Sequence, residues 1–132
     1  MTQQDRRKRS RLGLKLPILL LRTESESPLR TETVDISNDG FYCSTTQPFA
    51  PGERLTCVIA LPAGSGLSEV GRERLYLHAE VDVVRIVVNN GRGFGIGCRI
   101  FGYSVLKYDA IPSWAQAQTE QFAPSQVIEQ LG

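Results

Sequence analysis

Arg7 and Arg11 stand four residues apart near the start of the chain, with Arg6 just ahead of them, and Asp35-Ile36-Ser37-Asn38-Asp39-Gly40 follows after a run of extended sequence. Each arginine is a planar, permanently charged fork. It binds phosphate oxygens or the O6/N7 edge of a guanine bidentately, and it stacks on a purine face. The second segment complements that donor set. Asp35 accepts from the N1–H and N2–H₂ donors of guanine, Ser37 donates to a phosphate or a guanine edge, and Gly40 permits a positive-φ turn with close backbone approach. Asp35 and Ser37 are two apart, so on a strand they point the same way. This pairing of donors with acceptors implies a guanine nucleotide. Each half alone is common, since Arg-x-x-x-Arg occurs in any basic tail and Asp-x-Ser-x-x-Gly fits many Asx turns.

Other chemistries have little support. His78, Glu80 and Asp82 alternate along one strand face, where their Cα atoms fall at roughly 6.6 Å intervals, too far apart to converge on a metal. One histidine and no Gly-x-Ser-x-Gly elbow argue against a nucleophilic triad, so no enzyme activity is expected. Gly91, Gly93, Gly95 and Gly97 do not follow the dinucleotide fingerprint and open a strand rather than a helix; they are read as structural, permitting close approach or tight coiling. Cys43, Cys57 and Cys98, odd in number and widely spaced, are read as buried reduced thiols in the cytoplasm.

The elements that must position these groups fit one domain. A chain of 132 residues with 41% apolar and 22% charged residues supports a single core. Its apolar runs, such as Pro17–Leu21, are far short of the roughly 20 residues that span a bilayer. The basic N-terminus is read as mature protein rather than as a secretory signal, because Lys15 and Arg22 interrupt the apolar part and no small-residue cleavage site follows. Charge is nevertheless uneven: residues 1–15 hold six basic side chains and one acid, while the other residues hold nine and thirteen. A cationic arm on a mildly anionic body suits an anionic partner or a solvated terminus.

After the arm, period-two alternation recurs between turn signals. Leu14, Leu16, Ile18 and Leu20 form one face of a first strand; a second covers Leu29–Ile36 with Val34 and Ile36 inward; Asn38-Asp39-Gly40 turns the chain into a third. Leu55, Cys57, Ile59 and Leu61 pattern the fourth, Leu75, Leu77, Ala79, Val81 and Val83 the fifth, and Phe94, Ile96, Cys98 and Ile100 the sixth. The expectation is an all-β, six-stranded antiparallel barrel over 13–103, a flexible arm over 1–12 and a helical tail over 104–132. Ser113 and Gln116 form a capping-box pattern ahead of a short helix that stops near Pro124, and Ser125–Leu131 makes a second turn. Trp114 is expected to plug one barrel end.

Arg7-x-x-x-Arg11 followed by Asp35-x-Ser37-x-x-Gly40 resembles the signature of the PilZ family, and all five positions match. Phe49-Ala-Pro-Gly52, Leu61-Pro62 and Gly95-Ile-Gly-Cys-Arg-Ile-Phe101 are similar too, so the resemblance spans about residues 6–103. It implies a receptor for the bacterial second messenger cyclic di-GMP, held by Arg7, Arg11, Asp35, Ser37 and Gly40, with Arg6 as an auxiliary contact associated with a stacked ligand pair. The departure from the pattern is the long Ala63–Glu73 loop. With no upstream partner domain expected, the liganded arm would signal in trans to a protein controlling motility, adhesion or polysaccharide synthesis. No cofactor, membrane insertion or specific DNA or RNA is expected. A general nucleic-acid binder and a ligand-free adaptor remain the alternatives.

Overall fold

The computed structural model describes residues 13–25, 27–62, 74–88, 91 and 93–119. Six strands are formed: β1 (Pro17–Arg22), β2 (Leu29–Ile36), β3 (Gly40–Thr45), β4 (Arg54–Ala60), β5 (Leu75–Val88) and β6 (Phe94–Lys107). They close in the order β1-β2-β3-β6-β5-β4, and every pair is antiparallel, so the chain forms the expected barrel. A 3₁₀ turn at Tyr108–Ala110 and one helix, α1 (Ser113–Thr119), follow. The expected arm at 1–12, the Ala63–Glu73 loop and the tail beyond 119, including the Ser125–Leu131 turn, lie outside the described residues. Among the described residues no helix is long and apolar enough to cross a membrane.

Period-two alternation fills the barrel. Ile18 and Leu20 of β1, Phe41 and Cys43 of β3, Leu55, Cys57 and Ile59 of β4, Ala79, Val81 and Val83 of β5, and Ile96 and Cys98 of β6 pack as one cluster. Burial of each large apolar side chain contributes roughly 1.5–3 kcal/mol against the entropy of ordering it. The three cysteines sit in this cluster as free thiols. Burial pushes the Cys43 thiol up to about 12 and raises Cys57 and Cys98 as well, neighbouring thiols adding to the effect on those two.

Two expectations about local structure are corrected. Val34 is not an inward residue: it is 41% exposed, whereas Thr33 is 1% exposed. The cause is a β-bulge, because Thr33 pairs with Cys43 and Asp35 with Tyr42, leaving Val34 as an extra residue that reverses the side-chain phase. The sixth strand also runs on from Tyr103 to Lys107, paired with β5 as far as Leu75.

The helix departs from expectation in two ways. Pro112 supplies the carbonyl that accepts from Ala115 and Gln116 N–H, so α1 starts at Ser113 and the capping box does not form. Gln116 instead donates from its amide to the carbonyls of Tyr108 and Ile111, at 3.2 Å each. Trp114 does not plug the barrel. With Ile111 and Ala115 it packs on the outer wall against Leu19, Val58, Ala60 and Tyr76. These wall residues alternate with the inward set, so the barrel presents an apolar strip outside that the C-terminal segment covers.

Thr33 ties the start of the described chain to β2. Its hydroxyl donates to the Leu14 carbonyl at 2.6 Å and accepts the Leu16 N–H at 2.9 Å, while its own N–H donates to Leu16 O at 2.9 Å. Thr33→Val keeps the shape but leaves the Leu16 N–H buried without that acceptor; a loss of about 1–3 kcal/mol in urea unfolding is expected. All three thiols remain protonated at pH 8, so iodoacetamide is expected to label the native protein only as fast as it unfolds. Complete labelling within minutes without denaturant would contradict the buried cysteine cluster.

Candidate functional site

The bulge at Val34 decides what the site contains. Thr33 faces inward, and unbroken alternation would send Asp35 inward as well; the extra residue turns Asp35 to the outer surface opposite Tyr42. The same device recurs on β5. Val83 faces the core opposite Cys98, Val84 is the extra residue, and Arg85 emerges outward opposite Gly97. Since Tyr42 pairs with Gly97 across β3 and β6, one cross-strand row on the outer face reads Asp35, Tyr42, Gly97, Arg85.

That row has a low floor. A Cβ on Gly95 would collide with the Tyr42 phenol, so the ring occupies the space over Gly95. The Arg85 guanidinium lies 5.8 Å from the Tyr42 ring centroid and over the bare backbone of Gly97. Phe41, Tyr42, Val84, Arg85, Gly97 and Cys98 line a shallow cleft of about 290 Å³ there. Ligand pockets begin at about this size, so the cleft has room for only part of a large ligand. A second cavity, about 360 Å³ and mostly apolar, occupies the barrel mouth and touches the same turn at Ser37 and Asn38.

Asn38 and Asp39 lie between Ser37 and Gly40 in a turn pinned on both sides. Ser37 N–H donates to Gly40 O at 2.8 Å, the Ser37 hydroxyl accepts Asp39 N–H at 3.2 Å, and Ile100 N–H donates to Asp39 O at 2.8 Å. The Ser37 hydroxyl is only 3.4 Å from Gly40 O, a long bond, so its proton is available to a better acceptor. Gly40 is required for a reason other than the expected one. Positive φ is found at Gly52, Gly91 and Gly93 and not at Gly40. A Cβ on Gly40 would instead run into the Cys98 carbonyl oxygen of β6.

The structure thus brings Asp35, Ser37 and Gly40 together at one end of the outer face, whereas Arg6, Arg7 and Arg11 lie outside the described residues. Sequence reading missed Tyr42, Arg85 and the role of Gly97. The signal was present in Arg85, the one charged residue within Val83–Val88, and in glycines alternating along β6. His78, Glu80 and Asp82 stand on the outside of β5, and among the described residues no three His, Cys, Asp or Glu side chains group to hold a metal. Gly40→Ala is expected to lower stability by about 1–3 kcal/mol, since its obstacle is backbone that cannot rotate away. Gly52→Ala meets no atom, so its cost is backbone strain alone. Paired urea melts with unchanged m-values would check both.

Comparison with known proteins agrees with this geometry. The structure of the Bacillus subtilis inhibitor of motility (MotI/DgrA) superposes with a TM-score of 0.56 at 18% identity, covering 90% of this chain and 50% of that one. This chain therefore spans about half the length of that protein. No curated protein sequence matches. The sequence profile described as the PilZ domain matches residues 5–111, which takes in both halves of the signature and all six strands, and the chain belongs to the PilZ domain family.

Proposed function

We propose that this protein is a non-enzymatic receptor for cyclic di-GMP, reporting ligand through its N-terminal arm to a partner protein in trans. The observation that carries the reading is the outward carboxylate of Asp35 beside a pinned Ser37–Gly40 turn and a glycine-floored strip ending in Arg85. Asp35 would accept from a guanine N1–H and N2–H₂, Ser37 would donate to a ligand oxygen, and Arg85 with Tyr42 would stack on a purine face.

Chain reach supports the part assigned to the arm. Leu14 and Leu16 are tied to Thr33, two residues before Asp35. Three residues extend no further than roughly 10 Å and seven no further than roughly 25 Å, so Arg11 and Arg7 stay within those distances of Leu14. Two phosphates and two guanines match the surplus of arginine. Each charge-assisted hydrogen bond contributes roughly 1.5–3 kcal/mol, so four or five offset the ordering of a short arm and leave the roughly 8 kcal/mol of micromolar binding. The arm bound against the barrel is then the signal. The similar fold of an inhibitor of motility makes a motility component one class of partner, beside those of adhesion and polysaccharide synthesis.

Titration calorimetry with cyclic di-GMP, GTP and a short RNA, on wild type, Arg11→Ala and Asp35→Ala, tests the assignment. Saturable binding of cyclic di-GMP alone is expected, weakened at least roughly tenfold in each variant. RNA binding that falls steeply with salt and tolerates Asp35→Ala would identify a general nucleic-acid binder. No binding of any of the three would identify a ligand-free adaptor.

A further inference from the structure

A second cross-strand row lies beside the one that holds Asp35. Gly40 pairs with Arg99 across β3 and β6, Arg99 with Asp82 across β6 and β5, and Asp82 with Arg54 across β5 and β4. Directly paired residues share a face and stand about 4.5–5.5 Å apart at Cα. The row therefore runs from the last signature residue through two guanidinium groups and one carboxylate, on the same outer surface.

Its charges are unequally matched. Arg99 donates to Asp82 Oδ2 at 3.0 Å, with the arginine side chain 63% exposed and the carboxylate 15% exposed. Asp82 Oδ1 is buried and has no hydrogen-bond partner among the described residues. The other flanking cation does not supply one, because the Arg54 guanidinium is stacked 4.2 Å from the Phe101 ring centroid. Two cations thus flank one carboxylate, and the pair that does form is exposed on the arginine side and largely buried on the carboxylate side. Arg99 is free to swing outward, and a ligand phosphate that takes it must offset the cost of leaving Asp82 with Arg54 as its neighbouring cation. On its other side lies Gly40, a position from which the Cys98 carbonyl excludes any side chain, so the lane from Arg99 toward the Ser37–Gly40 turn holds no obstacle from that residue.

Resting on the cyclic di-GMP reading, we propose that Arg99 is a further ligand-binding residue that exchanges Asp82 for a phosphate of the ligand seated at the turn. Asp82 holds the guanidinium aside in the free protein and competes with the ligand for it. Arg54 remains opposite Asp82 as the cation that tempers the carboxylate after the exchange. The row would add a cation that comes from the barrel itself and is independent of the arm.

The two partners then have opposite effects, which a purely structural ion pair would not produce. In calorimetric titrations with cyclic di-GMP, Arg99→Ala is expected to weaken binding roughly tenfold and to reduce the dependence of affinity on salt, as loss of one phosphate contact does. Asp82→Asn, which keeps the side-chain volume but frees Arg99, is expected to tighten binding several-fold. Thermal melts of both variants within a few degrees of wild type exclude unfolding as the cause. If Arg11→Ala and Asp35→Ala weaken binding while Arg99→Ala does not, Arg99 is no contact and the receptor reading stands. If both Arg99→Ala and Asp82→Asn weaken binding, the exchange is wrong and the pair acts as a fixed support. If wild type takes up no cyclic di-GMP, this proposal falls together with the reading beneath it.

Discussion

The phase reversal at Val34 is the constraint on which the arrangement depends. A closed six-stranded barrel requires inside–outside alternation, and β2 has two incompatible duties within three residues. Thr33 must face inward to bind the chain at Leu14 and Leu16, and Asp35 must face outward if, as proposed, it is to meet a ligand. Regular alternation would give both the same direction. One extra residue resolves the conflict, at the cost of exposing a valine. β5 uses the same solution for Arg85, and a third bulge at Phe101 of β6 turns Tyr103 toward the barrel mouth and Gly102 outward. In each case an apolar residue is expelled, with Val34, Val84 and Phe101 at 41%, 53% and 45% exposure.

This explains what could and could not be read from the sequence. Leu55, Cys57 and Ile59, or Leu75, Ala79, Val81 and Val83, announce their burial because alternation is unbroken along those runs. Val34 misleads for the same reason: an apolar residue at an even step reads as inward, and nothing in its chemistry marks it as the extra one. Gly40 was legible as a necessity but not in its cause, since the obstacle is the Cys98 carbonyl, more than fifty residues away in the chain. Likewise, Ser113 and Gln116 carry the letters of a cap, but Pro112 already occupies the position that a cap would fill. Asp35 and Ser37 are singled out by their chemistry alone. Tyr42 and Arg85 needed the register.

The outer wall carries two separate investments. On the side of β1, β4 and β5, Leu19, Val58, Ala60 and Tyr76 point outward and are covered by Ile111, Trp114 and Ala115. On the side of β3, β5 and β6 the outward positions hold Tyr42, Arg85, Gly97, Arg99 and Asp82, and no described helix covers them. A small barrel has too little interior to bind a dinucleotide inside, and here the interior is filled with apolar side chains and three cysteines. Under the proposed reading the ligand therefore sits on the outside, and the division of the wall leaves one described face for it.

A site of this kind works differently from an enclosed pocket. The cleft beside Tyr42 and Arg85 is about 290 Å³ and open, so apolar burial can supply only part of the affinity of a large charged ligand. The rest must come from groups brought to the ligand. The pinned Ser37–Gly40 turn and the packed β3–β6 floor are held by hydrogen bonds within the barrel and would lose little entropy on binding, whereas the proposed reading assigns the ordering of the arm's arginines to the ligand. Specificity and signal thus separate physically under the proposed reading. On that reading Asp35 on the fixed barrel would read the base, because a carboxylate discriminates donor patterns, and the arm would convert occupancy into shape, because its cations find their partners in the ligand phosphates. A deeper pocket would bind with less dependence on the arm, and would thereby weaken the link between binding and the change a partner can detect.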